Sequence, residues 1–182
     1  MNKIIGILGM QGAIAEHQEI LLQIPHTKTR IVKTAKDLDC IDGLILPGGE
    51  STAIGKLLDY FSLKEILRQK IISGLPVFGT CAGLILLAKN IENQTNTHLA
   101  TMDITVKRNG YGSQLDSFST NLLIPTIDKN MPIPLVFIRA PYITKTDKDV
   151  QILATLDNKI IAARQKNMLV SSFHPEIGRA HV

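Results

Sequence analysis

A chain of 182 residues, 45% of them hydrophobic, is long enough to bury the core of one ordinary domain. Aromatic residues make up only 4% and Trp is absent, so Ile and Leu must supply most of that core. The formal net charge of +4 comes from scattered Lys and Arg residues, with no basic run interleaved with aromatics, which argues against a nucleic-acid-binding surface.

Strand and helix patterns alternate through the first ninety residues. Short apolar runs that end in Gly or Pro predict buried strands, and apolar residues at helical spacing predict the helices between them. Inward-facing candidates are Ile14, Ile20 and Leu21 in the first helix and Phe61 in the second. The predicted elements are strands at 3–9, 30–33, 42–46 and 76–80 and helices at 13–22, 51–69 and 82–90. This order indicates βαβ units and a parallel sheet that is covered on both faces.

The second half of the chain is predominantly β in pattern. Asp157 and Asn158 form a plausible hairpin turn between two of its runs. We expect antiparallel additions to the main sheet, and the absence of a repeat or linker predicts one domain. The predicted strands lie at 102–106, 122–124, 135–139, 150–156, 159–164 and 168–173.

The cysteines and the N-terminus indicate the compartment. Cys40 and Cys81 are too few for a disulfide framework, and no Cys/His cluster suggests a zinc site. No signal-peptide pattern is present, and no apolar stretch is long enough to cross a bilayer. We therefore expect a cytoplasmic protein that does not act at a membrane.

The strongest local signal is the run Gly79-Thr80-Cys81-Ala82-Gly83, between an apolar strand and an apolar helix. A nucleophile elbow has this context, because its tight turn needs small neighbours. The N–H groups at the start of the following helix lower the pKa of the thiol and can bind an oxyanion. Taken alone, the run fits a buried cysteine that only packs just as well.

A second signal is Phe173-His174-Pro175-Glu176, which follows an apolar strand. His174 can take the thiol proton, and Glu176 can fix the tautomer of its imidazole. The third signal is the loop from Pro47 to Thr52. Its backbone N–H groups can form an oxyanion hole, with Ser51 as a possible helix N-cap, although a plain turn and cap explain it equally.

These segments together resemble a class I, triad-type glutamine amidotransferase, and in more detail the glutaminase subunit family of pyridoxal 5′-phosphate synthase. The similarity runs over nearly the whole chain. The matching runs are Gly9-Met10-Gln11-Gly12-Ala13 with Glu16-His17, Asp42 to Thr52, Phe78 to Leu84, Arg108-Asn109-Gly110-Tyr111-Gly112, Gln114, Asp116-Ser117-Phe118, Phe137-Ile138-Arg139-Ala140-Pro141 and Ser172 to Glu176.

The resemblance implies a three-layer, flavodoxin-like α/β fold with a central, mostly parallel sheet and added antiparallel strands. It also implies roles for individual residues. Cys81 would attack the glutamine amide to form a thioester, His174 would transfer protons, and Glu176 would orient His174. Gly49 and Ala82 would supply oxyanion N–H groups. The residues that match the family's glutamine-binding positions are Gly49, Glu50, Ser51, Arg108, Ile138 and Arg139.

The family also implies a partner. Ammonia released from L-glutamine would pass to the barrel-shaped synthase subunit, which builds pyridoxal 5′-phosphate. The glutaminase itself needs no metal or cofactor. Gln11, in the loop after the first strand, is the candidate for coupling to that partner, since from there it could help to set the oxyanion peptide.

The chain departs from the family pattern at its end. The glutaminase domain is expected to span 1–176, where relatives continue into a C-terminal helix. The atypical tail, 177–182, is interpreted as a truncation or a sequencing-adapter artefact. Three rival functions stay open. They are the glutaminase of another amidotransferase, such as that of histidine biosynthesis, a catalytically silent module on the same fold, and a cysteine hydrolase with the same elbow.

Overall fold

A computed structural model describes residues 2–110 and 117–177. Of the motif residues quoted above, Tyr111, Gly112, Gln114 and Asp116 lie outside those ranges, as do tail residues 178–182. The helices are α1 (Ile14–Leu22), α2 (Ser51–Tyr60), α3 (Lys64–Ile72) and α4 (Ala82–Leu87), with a short 3-10 helix at Ala35–Leu38. The strands are β1 (Lys3–Leu8), β2 (Thr27–Val32), β3 (Gly43–Leu46), β4 (Val77–Thr80), β5 (Ala88–Ile91), β6 (Met102–Lys107), β7 (Ser117–Leu122), β8 (Ile133–Ile138), β9 (Tyr142–Thr146), β10 (Gln151–Leu156), β11 (Lys159–Gln165) and β12 (Met168–Ser171).

Within the described ranges, ten strands form one central sheet in the order β2-β1-β3-β4-β12-β11-β9-β6-β5, with β10 paired to β11. The first five strands of this order, β2, β1, β3, β4 and β12, run parallel to one another. The next three pairs, β12–β11, β11–β9 and β9–β6, are antiparallel. Strands β7 and β8 form a separate antiparallel hairpin. The predicted mostly parallel sheet with antiparallel additions is confirmed.

This topology brings three distant loops together. Strands β3, β4 and β12 are adjacent and parallel, so their carboxyl ends lie side by side at one edge of the sheet. The segments that follow them begin at Pro47, Cys81 and Ser172. In open α/β sheets that edge is where ligands bind.

Aliphatic side chains pack on both sides of the sheet. Helices α2, α3 and α4 cover one face, where residues such as Leu58 and Leu67 pack with the strands. Helix α1 lies over the other face. Consecutive strand residues point to opposite faces. Accordingly Ala163 of β11 belongs to the main core, whereas Ala162 belongs to a smaller core with Phe137 of the β7–β8 hairpin.

The helix predicted at 51–69 is two helices, so that prediction was wrong. Helix α2 ends at Tyr60, and Ser62 adopts a left-handed backbone conformation with φ of 53°. Leu63, directly after the break, is buried, whereas Phe61 is 55% exposed rather than inward-facing. The apolar spacing continues through the break, and spacing alone cannot show that the chain turns there.

Other boundaries also differ from the prediction. The helix predicted at 82–90 ends at Leu87, because Ala88 is extended with ψ of 134° and starts β5, which pairs with β6. The strand expected at 122–124 is β7, which ends at Leu122. No sequence pattern predicted strand β9 at Tyr142–Thr146. The hairpin turn at Asp157 and Asn158 is confirmed, with φ of 48° and 60°.

Candidate active site

Cys81 lies on a strained turn between β4 and α4. Its φ is 47°, a left-handed value that is unfavourable for a residue with a side chain, and its N–H donates to the carbonyl of Ser171 in β12 at 2.8 Å. A Cβ on Gly79 would lie 2.6 Å from the carbonyl carbon of Gly83, and one on Gly83 would collide with the carbonyl of Leu46. The elbow therefore requires glycine on both sides of the nucleophile.

His174 and Glu176 form a buried pair just past the end of β12. Nδ1 of His174 and Oε1 of Glu176 are 2.8 Å apart, and the two residues are 6% and 4% exposed. Because an ionised carboxylate only accepts hydrogen bonds, Nδ1 carries the proton. The backbone N–H of His174 donates to the carbonyl of Val136 at 2.8 Å, which ties this segment to β8.

The charge state of His174 depends on both of its partners. Burial alone would lower the pKa of His174, but hydrogen bonds with Cys81 and Glu176 and the negative charges of these groups raise it to about 10. The imidazolium form of His174 is thus favoured beside Cys81 and Glu176. Cys81 and His174 have the arrangement of a thiolate–imidazolium pair, in which the thiolate is the nucleophile.

The loop after β3 lies directly against the imidazole. A Cβ on Gly48 would overlap the ring of His174 and would stand 2.9 Å from Nδ1. The loop between β1 and α1 holds it in place: the N–H of Ala13 donates to the Gly48 carbonyl at 2.9 Å, and the N–H of Glu50 donates to Oε1 of Gln11 at 2.8 Å. Gln11 therefore orients the Gly49–Glu50 peptide.

Glu50, not Ser51, is the N-cap of α2, which corrects the prediction. Its carboxylate accepts from the N–H groups of Thr52 at 3.2 Å and Ala53 at 2.6 Å, while Ser51 is the first helical residue. Arg108 donates to Glu50 Oε1 at 2.9 Å and to the Thr52 hydroxyl at 3.1 Å. Burial would raise the pKa of Glu50, but these N–H donors and the Arg108 charge hold it below its usual value. A cation and an anion thus stand side by side next to the loop that follows β3.

Two predicted binding residues lie farther out. Ile138 ends β8 and is 38% exposed, and Arg139 follows it with φ of 43°. Val136, two positions before Ile138, accepts the hydrogen bond from His174. The end of β8 therefore reaches the rim of the site, although it does not join the triad.

Comparison with known proteins decides the family. The model of the SNO glutamine amidotransferase family matches residues 7–182. The chain belongs to this family. A relative from Ruminiclostridium cellulolyticum, named pyridoxal 5′-phosphate synthase subunit PdxT, is 52% identical over 175 residues, which cover 96% of this chain and 92% of the relative. A relative of the same name from Carboxydothermus hydrogenoformans is 54% identical over 173 residues, covering 95% and 90%.

Solved structures agree with the SNO family assignment. A crystal structure of a glutamine amidotransferase is 38% identical and superimposes with a TM-score of 0.86, covering 95% of this chain and 90% of that one. The structure of PurLQS from Thermotoga maritima, 16% identical with a TM-score of 0.71, shows the same fold. The resemblance found in the sequence and the expected fold are both confirmed, and the chain is a glutamine amidotransferase.

His17 had no predicted role, yet it is the buried residue of α1. Its Nε2 lies 3.2 Å from the Thr80 hydroxyl and 3.4 Å from Oε2 of Glu176. Ile14 and Leu21, expected to face inward, are only partly buried. The spacing of positions 14, 17 and 21 places His17 on the inward stripe of the helix, and this spacing could have revealed it.

Neither a metal site nor a membrane-spanning helix occurs in the part of the chain that the structure describes. No group of three or more His, Cys, Asp or Glu side chains there could hold a metal ion. No helix in those ranges is both long and apolar enough to span a bilayer.

Proposed function

We propose that this amidotransferase hydrolyses L-glutamine to L-glutamate and ammonia through a thioester on Cys81, and that the ammonia passes to the barrel subunit of pyridoxal 5′-phosphate synthase. The observation that carries the catalytic part is the burial of Cys81, on a glycine-flanked elbow, next to the His174–Glu176 pair. The names of the relatives and the resemblance of the whole chain support the choice of partner.

The first half-reaction forms the thioester. The thiolate of Cys81 attacks the side-chain amide carbon of glutamine and forms the C–S bond. The C–N bond then breaks, and the imidazolium of His174 gives its proton to the leaving nitrogen, so that ammonia departs. Glu176 stabilises the charged imidazole through Nδ1 throughout this step.

The second half-reaction releases glutamate. Neutral His174 removes a proton from water, and the resulting hydroxide attacks the thioester carbon. The C–S bond breaks, and the thiolate of Cys81 and the imidazolium of His174 are restored. In both steps the N–H groups of Gly49 and Ala82 would donate to the oxygen of the tetrahedral intermediate, with Gln11 holding the peptide next to Gly49.

Glu50 and Arg108 suit the two charges of the free amino acid. The α-carboxylate of glutamine would pair with Arg108, and its ammonium would pair with Glu50. These two contacts would replace the ion pair that Arg108 and Glu50 form with each other. Ser51, Ile138 and Arg139 would border the same end of the substrate. Glu50 is the N-cap of α2, so the helix begins directly after it. The same rigid helix would therefore support both the carboxylate that binds the substrate and the loop that forms the oxyanion hole.

The test is ammonia release from glutamine, measured while the barrel subunit of pyridoxal 5′-phosphate synthase is titrated in. We expect little activity without the barrel subunit and at least a tenfold increase with it. Cys81→Ala should give none under either condition. Full activity of the isolated chain, unchanged by the barrel subunit, would contradict the coupling, and activity in Cys81→Ala would contradict the nucleophile.

Gln11 provides a sharper test of the coupling. Gln11→Leu removes the acceptor for the Glu50 N–H and should abolish most of the increase. Gln18→Leu is the matched control, because Gln18 lies on α1 and donates to Thr29 away from the site. An equal response of both variants to the barrel subunit would exclude a role for Gln11.

A further inference from the structure

Glu176, the acid of the proposed triad, has one carboxylate oxygen that lacks a hydrogen-bond donor among the described residues. Oε1 of Glu176 accepts from His174, whereas Oε2 is fully buried and has no hydrogen bond of ordinary geometry within the described residues. A buried carboxylate oxygen without a donor is costly, and it leaves the carboxylate free to turn. Nε2 of His17 stands 3.4 Å from this oxygen.

The surroundings of Nε2 determine the tautomer of His17. Two oxygens face this nitrogen, the Thr80 hydroxyl at 3.2 Å and Oε2 of Glu176 at 3.4 Å. A deprotonated Nε2 would set its lone pair against the lone pairs of a carboxylate. A protonated Nε2 instead offers a donor that the carboxylate oxygen and the hydroxyl can share. His17 therefore carries its proton on Nε2.

His17 is also neutral at pH 7. Burial lowers the pKa of its imidazole, and this effect outweighs the attraction of Glu176 and of Glu16 on its own helix, while the positive charge of His174 lowers it further. A cation at this position would compete with His174 for the carboxylate. A neutral N–H holds the carboxylate in place and leaves its charge available to the His174 imidazolium.

We infer that His17 is a positioning residue for catalysis: its Nε2–H fixes Oε2 of Glu176 so that Oε1 stays directed at Nδ1 of His174. The inference rests on the proposed triad and adds a fourth residue that reaches the site from α1. Because the polar contacts of His17 are with Thr80 and Glu176, it acts on the proton-transfer step and not on substrate affinity.

The experiment compares three variants of the full chain in complex with the barrel subunit. His17→Leu keeps the bulk but removes the donor. His17→Gln keeps an N–H donor at nearly the reach of Nε2, and His17→Asn retracts that donor to about the position of Nδ1. We expect kcat for glutamine hydrolysis to fall about tenfold in the Leu and Asn variants, the loss of one hydrogen bond to a charged group. The kcat of His17→Gln should stay within about threefold of the kcat of the parent. KM for glutamine should be unchanged in all three variants.

A second readout needs no glutamine. The rate at which iodoacetamide alkylates Cys81 at pH 7 reports the fraction of thiolate paired with imidazolium. That rate should fall in parallel with kcat in the Leu and Asn variants, and His17→Gln should restore it. Melting temperatures identify variants that fail to fold. If His17→Leu does not fold, the contrast between the Gln and Asn variants carries the test.

The outcomes separate this inference from the proposed function. Equal kcat values and equal alkylation rates in the Gln and Asn variants would overturn the role of His17, even if the parent hydrolyses glutamine normally. A parent that does not hydrolyse glutamine, but whose alkylation depends on the residue at position 17 as described, would overturn the proposed function and leave the inference standing.

Discussion

Gly48→Ala tests whether the contact between the loop after β3, which we propose forms the oxyanion hole, and the imidazole of His174 matters for catalysis. The new methyl group would overlap the His174 ring and stand 2.9 Å from Nδ1. Ordinary carbon contacts begin at about 3.5 Å, so either the loop or the ring must move by more than half an ångström. His174 is held by Glu176 and by Val136, and the loop is held by Gln11 and Ala13. The strain is therefore distributed over the groups to which we assign the chemistry.

The size of the effect follows from that displacement. A misplacement of about 1 Å at a reacting group costs on the order of a hundredfold in rate. We expect kcat/KM for glutamine to fall by about this factor in Gly48→Ala. Stability should change less, because no buried apolar group is lost.

The matched control is Gly43→Ala, on the strand that leads into the same loop. A Cβ there would meet its nearest neighbours, atoms of Ile5 and Pro76, at 3.6 Å, which is ordinary contact. This variant should keep nearly full activity. The assay is ammonia release with the barrel subunit present, together with melting curves of all three proteins. Unchanged kcat/KM in Gly48→Ala would refute the reasoning, because the loop would then not need to lie against the imidazole.

Three further predictions concern the nucleophile, the substrate charge and acid stability. An electrophilic glutamine analogue should label buried Cys81 and spare exposed Cys40, as peptide mass analysis can show, and labelling of Cys40 alone would contradict the assignment. Arg108→Ala should raise KM for glutamine about tenfold with a smaller change in kcat, because it removes the proposed partner of the substrate carboxylate; a change in kcat alone would place Arg108 outside the binding site. Asp103 is bonded to Lys89 and Gln165, and these hydrogen bonds hold its pKa below its usual value, so it contributes stability that is present above pH 3.8 and is lost as the pH falls through the lowered pKa. The melting temperature of Asp103→Asn should therefore lie below that of the parent at pH 7, and the difference should shrink as the pH falls below 3.8. A constant difference would exclude this ionisation as the cause.

The amino-acid sequence determined the local parts of the site, because each depends on neighbouring residues. Small residues on both sides of Cys81 are required by a turn that leaves no space for a Cβ, so glycine spacing revealed the elbow. His174 and Glu176 are two positions apart, and their contact follows directly from that spacing. Apolar runs that end in glycine or proline likewise located β1, β3 and β4.

Tertiary structure decided what depends on distant residues. His17 is on the inward stripe of α1, but only the packing of that helix brings it to Thr80, 63 positions away, and to Glu176. The extended backbone at Ala88 is fixed by pairing with β6, although the sequence there fits the end of a helix equally well. The local sequence pattern indicates only which side chains are buried. The partner that each buried polar group meets is set by strand order, because hydrogen bonds between elements form only after the sheet brings those elements together.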